Sequence, residues 1–345
     1  MTQTNWIELK SAGGGFPILL EQFGAYRCFD HHESPPRIVV AIGGESKRRF
    51  FASATGQLPR CRAPTIRIQQ WTPTTVLVDC ELHDLTSLES VKASSQEGSC
   101  TQHPLQAFVP RACSQKRLTE LSHDIYWQIL TPLASIIIIF LEDIGGLSSV
   151  IEVIASWMRR SAANPTPSAP RILVLYDCNK ELQVQKFTAR LRARVVAFVH
   201  DLDSESGDMD EGVIFQSTHT FESLRLVSTV AATTDFLQLN IEEAFSFREG
   251  NGYAFDGEHV KYLLQAAIRH YCAGNRQQIN LISASRLPNP VSDEFEMHLN
   301  YFMESCSGVD VDQAKLIASA LHVDAHPPGM HRELLIISNH FLREG

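Results

Sequence analysis

Hydrophobic positions in the first half of the chain fall in short continuous runs, each ending in a turn-forming or acidic cluster. Residues 38–42 (IVVAI) run into Gly43-Gly44, residues 76–78 into Asp79, and residues 134–141 (ASIIIIFL) into Glu142-Asp143. Residues 171–176 (RILVLY) end at Asp177, and residues 195–200 (VVAFVH) open an acidic loop. Unbroken apolar runs of this length predict strands buried on both faces. Helical spacing separates them. A short helix is expected over 47–54, and a second over 118–129, with Leu118, Leu121, Ile125 and Ile129 three and four apart. A third, over 149–160, has Val150, Val153, Ile154 and Trp157 on one face, and a basic helix covers 183–194. Residues 65–71 (TIRIQQW) alternate as an edge strand does, while 86–117 read as a polar insertion.

Strand–helix alternation predicts an α/β domain over 37–219, a mostly parallel sheet with helices on both faces. Residues 1–36 are poorly patterned and read as an N-terminal extension, although ILLEQF is strand-like. Beyond residue 220 the spacing predicts helices only, over 221–237, 257–273, 292–306, 310–321 and 332–342. Gly250-Asn251-Gly252, Pro288-Asn289-Pro290 and Pro327-Pro328-Gly329 separate them. This predicts an all-helical C-terminal domain over 220–345.

Chemistry concentrates after the first of these strands. An apolar strand, a glycine pair and a basic helix are how a phosphate loop begins, because a helix N-terminus offers free amide N–H groups to an anion. Against the pattern G-x-x-x-x-G-K-[ST] counted from Gly43, the loop is broken: Arg48 stands for glycine, Arg49 for lysine and Phe50 for the hydroxyl residue. Gly43, Gly44, Lys47 and Arg49 are the candidate nucleotide-binding residues there. Asp79, closing a hydrophobic strand, stands where a Walker B carboxylate would hold Mg²⁺, with Glu81 beside it; an Asp there also suits a helix cap. Asn179 and Lys180, in DCNK, resemble part of a guanine-reading Asn-Lys-x-Asp motif. Leu182 stands where the motif needs its second acid.

Composition narrows the partners. A net charge of −9 gives no electrostatic reason to expect nucleic acid or an anionic membrane. The longest apolar run is about half of the ~20 residues that a membrane helix needs. The first residues, MTQTNWIELKS, lack the basic and apolar regions of a secretory signal, and the eight cysteines contain no C-x-x-C. These features predict an intracellular, cytoplasmic protein with reduced thiols. Cys28 with His31 and His32, the pair His322 and His326 with His331, and the six carboxylates between 201 and 211 carry metal-ligand types. Their spacing fits neither zinc nor an EF-hand.

Four segments carry a family resemblance: VLVDCELHD (76–84), IIIIFLEDIGGLSSVIEVIASWM (136–158), ISASRLPNPVSDE (282–294) and IASALHVDAHPPGMH (317–331). They resemble the N-terminal region of large fungal patatin-like phospholipase proteins, in which a GTPase-like, often degenerate P-loop module and helical segments precede the lipase. The resemblance spans residues 37–331 and implies a P-loop NTPase-like sheet. It does not extend to the hydrolase, whose Ser–Asp dyad sits in G-x-S-x-G and D-G-[GA]. Gly44-Glu45-Ser46-Lys47-Arg48 matches only the first half of that elbow, Glu258 follows Asp256-Gly257, and Gly13-Gly14-Gly15 lacks the residues that flank an oxyanion loop.

Three functions follow, in order of support from the residues. The first is a non-catalytic or weakly nucleotide-binding regulatory module with a protein partner. The second is an active GTPase or ATPase that uses Mg²⁺, Arg49, Asp79 and either Glu142 or Asp143. The third is lipid acyl hydrolysis through Ser46.

Overall fold

A computed structural model describes residues 4–12, 16–30, 34–55, 65–82, 100–105, 115–162, 169–177, 187, 189–191, 193–194, 221–286, 294–305, 312–317 and 320. They form an α/β fold around one nine-stranded mixed sheet. The strands are β1 (Thr4–Ser11), β2 (Pro17–Gln22), β3 (Arg37–Ile42), β4 (Thr65–Thr72), β5 (Thr75–Cys80), β6 (Cys100–Pro104), β7 (Ile136–Phe140), β8 (Arg171–Tyr176) and β9 (Ser223–Ser228). The helices are α1 (Glu45–Thr55), α2 (Gln115–Ile125), α3 (Leu147–Ala162), α4 (Thr234–Gly250), α5 (Gly257–Cys272), α6 (Leu281–Arg286) and α7 (Phe295–Ser305). A 3₁₀ segment follows β2, and a π-helical turn, Tyr126–Leu130, continues α2.

The strand order is β6-β2-β1-β4-β5-β3-β7-β8-β9. From β5 through β3, β7 and β8 to β9 every pairing is parallel; from β6 through β2, β1 and β4 to β5 every pairing is antiparallel. The expected mostly parallel sheet is therefore half of a mixed one.

The parallel half is covered on both faces, which explains its unbroken apolar runs. Ile38, Val40 and Ile42 of β3, with Ile137 and Ile139 of β7, pack with α2, α3, α5 and α6 in one core. Val39 and Ala41, with Ile136, Ile138 and Phe140, face the other way onto Phe51 of α1 and Leu237, Ile241 and Ala244 of α4. The predicted face of α3 is buried as read, and its Trp157 stacks on Trp127 at 6.1 Å.

Four expectations are corrected. TIRIQQW, read as an edge strand, is β4, paired on both sides by β1 and β5. Thr4–Ser11 and Pro17–Gln22, placed in an N-terminal extension, are the hairpin strands β1 and β2 of the sheet, and bury Trp6, Ile7, Leu9 and Leu19. Cys100–Pro104, read as part of a polar insertion, pairs with β2. Where one helix is expected over 221–237, the chain first makes β9, which pairs in parallel with β8 from Ser223 to Ser228. Thr233 then caps α4, its hydroxyl accepting the Phe236 N–H at 3.2 Å. The region after residue 220 is therefore not all-helical. Arg171 of β8 ties β9 and α4 into the sheet through Glu222, at 2.8 Å, Asn240, at 2.9 Å, and Glu243.

Among the described residues no helix is long and apolar enough to cross a membrane. The run 133–141 contributes β7, buried throughout.

Candidate functional site

The chain leaves β3 for β5 on one side and returns to β7 on the other. The carboxyl ends of β3, β5 and β7 are thus a topological switch point, where open α/β sheets bind ligands. Gly43, Gly44, Lys47, Asp79 and Asp143 meet there.

The connection from β3 to α1 is only two residues long, Gly43-Gly44, with α1 starting at Glu45. An eight-residue phosphate loop has no room to form. The Gly43 N–H extends the ladder by one bond to the Cys80 carbonyl at 3.3 Å. A Cβ on Gly43 would lie 2.7 Å from Asp143 Oδ2 and 2.9 Å from Phe140 Cβ, so glycine is required by close approach.

The first turn of α1 is already occupied. The carboxylate of Asp143, from the turn after β7, accepts the backbone N–H groups of Gly44 at 2.6 Å, Ser46 at 3.0 Å and Lys47 at 3.0 Å. An anion belongs here, because free amides and the helix dipole both favour negative charge. Burial works to raise the Asp143 pKa; the donated N–H bonds from Ser46, Lys47 and Gly44 outweigh it and hold the carboxyl below its ordinary range. Gly145 and Gly146, with φ of 94° and 88°, close the turn that presents Asp143. The neighbouring Glu142 accepts the Asp177 N–H at 3.1 Å, capping the end of β8 in the same way.

Beneath this cap lies a buried ion-pair cluster. Lys47 is fully buried and points inward from α1; its ammonium donates to the Cys80 carbonyl at 2.7 Å and pairs with Asp79. Asp79, also fully buried, pairs in addition with Arg67, the residue directly opposite it across β4 and β5. Glu81 joins through Arg67 at 3.4 Å and Arg48 at 2.8 Å. Burial tends to lower the Arg48 pKa, but its bonds to Glu45 and Glu81 raise it overall. Three cations thus face Asp79, Glu81 and Glu45. Asp79 is held by two of them, Lys47 and Arg67, and a metal ion there would have to displace both.

The candidate residues therefore divide. Gly43, Gly44, Lys47 and Asp79 come together. Arg49, which the sequence pattern set in the lysine position, lies on the exposed side of α1, and Lys47 is the basic residue that meets Asp79. Phe50 and Phe51 pack against Phe140 at 5.5 and 6.1 Å, and Phe51 also meets Trp71. Asn179 and Lys180 lie outside the described residues, as do His31, His32, His322, His326, His331, Gly13 to Gly15 and the acidic loop. Ser46 sits in the first turn of α1 with its N–H on Asp143. Asp256 is the N-cap of α5, accepting the His259 N–H at 2.9 Å. Among the described residues no group of three or more His, Cys, Asp or Glu is placed to hold a metal ion.

Sequence reasoning missed Arg67 and the role of Asp143. An arginine between two buried isoleucines, Ile66 and Ile68, was a usable signal, since opposite charges on neighbouring strands pair across a sheet. Asp143 lies 99 residues from Gly44, and no local pattern connects them.

No protein-family model matches this chain, and no curated protein matches it.

Proposed function

We propose that this chain is a P-loop-derived, GTPase-like module that serves as a regulatory or protein-interaction scaffold, its own side chains standing in for a nucleotide's charges. The observation that carries the reading is the Asp143 carboxylate on three amide N–H groups of the first turn of α1. That position is where a nucleotide phosphate would lie on a helix N-terminus. Lys47 and Arg67 supply, against Asp79, the positive charge that Mg²⁺ would otherwise bring.

The strand order supports the ancestry. Counted from β3 with the edge strand β6 set aside, the strands run second, third, first, fourth, fifth and sixth across the sheet, the second alone antiparallel, as in a GTPase-like domain. β1, β2 and β6 extend it beyond β4. The same reading accommodates the resemblance to the leading region of fungal patatin-like proteins, with a protein as the partner.

The energetics favour a scaffold over an engine. Hydrogen bonds to charged groups contribute roughly 1.5–3 kcal/mol each, and a phosphate entering this turn must first displace the three that Asp143 accepts. While Asp143 remains, it repels the phosphate at contact distance. Two glycines between β3 and α1 cannot wrap a β-phosphate.

Calorimetry and thermal melts with Mg²⁺-GTP and Mg²⁺-ATP test the reading. The expected result is no saturable heat and no melting shift up to millimolar nucleotide; a ligand at 100 times its Kd would stabilise by about 2.7 kcal/mol. Tight, Mg²⁺-dependent binding abolished by Asp79→Ala would establish the active GTPase or ATPase instead.

A further inference from the structure

We draw no further inference here: the strongest candidate, the buried side-chain cluster at the antiparallel edge of the sheet in which Glu21 of β2 accepts the Tyr26 hydroxyl and meets His103 Nε2 of β6 at 2.8 Å, has both carboxylate oxygens taken up by those partners, and nothing in the structure shows what it would bind or act on.

Discussion

Asp143 links two segments 99 residues apart through three backbone bonds, so its removal acts on α1 and on the β7–α3 turn together. Asp143→Ala should lower stability by about 1–3 kcal/mol, the range for losing an N-cap whose donors are partly buried; urea unfolding at pH 7 measures it. The sign of its pH dependence comes from the lowered pKa. A carboxyl held below its ordinary value stabilises the fold fully above the unfolded pKa, near ~3.9, and loses that contribution as pH falls through the folded value. The difference between wild type and Asp143→Ala should therefore be constant from pH 7 to 5 and shrink in more acid solution. Gly43→Ala sets a methyl 2.7 Å from Asp143 Oδ2 and 2.9 Å from Phe140 Cβ. A cost of about 1–3 kcal/mol is expected, by overpacking. In the buried cluster, Lys47→Met or Asp79→Asn alone leaves an imperfectly matched group and should cost about 3–5 kcal/mol. The double variant should cost clearly less than the sum, and a double-mutant cycle in urea reads that coupling directly. Additive losses would mean that the two side chains do not act on each other.

At the level of elements, legibility depended on whether burial wrote a pattern into the strand itself. β3, β7 and β8 lie between two helical layers, so nearly every residue is apolar and the runs announce themselves. The antiparallel wing is less explicit. β1 carries Asn5, Glu8 and Lys10 among its buried Trp6, Ile7 and Leu9, and β6 is a five-residue edge strand with three polar side chains. β9 was hidden because the LRLV core of SLRLVS, joined to residues 229–237, also fits a helical face; what makes it a strand is its partner, β8. The consequence is testable by truncation. A chain ending at residue 219 loses β9 and α4, leaving Arg171 without Glu222, Asn240 and Glu243 and uncovering Val39, Ile138 and Leu173. It should aggregate or melt without cooperativity by calorimetry, whereas an autonomous α/β domain over 37–219 would give a single sharp transition.

For the whole molecule, the sheet order brings the ends of β3, β5 and β7 to one switch point, and Gly43, Gly44 and Asp79 meet there because each lies at or beside the end of a readable strand. The sequence could not say what fills that point. Local spacing cannot register that Lys47 turns inward while Arg49 faces solvent, nor that the anion on α1 comes from the chain itself. On the proposed reading a nucleotide's negative and positive charges have both been internalised, which gives a fold locked in one state and available as a surface. The most direct test is an amide NMR titration of the ¹⁵N-labelled chain from pH 7 to 2.5, repeated at pH 7 with millimolar Mg²⁺-GTP. The account predicts that the Gly44, Ser46 and Lys47 amides move together on one acid transition below the ordinary carboxylate range, and that nucleotide leaves them unmoved. Amides indifferent to acid, or shifting saturably with Mg²⁺-GTP at neutral pH, would contradict it.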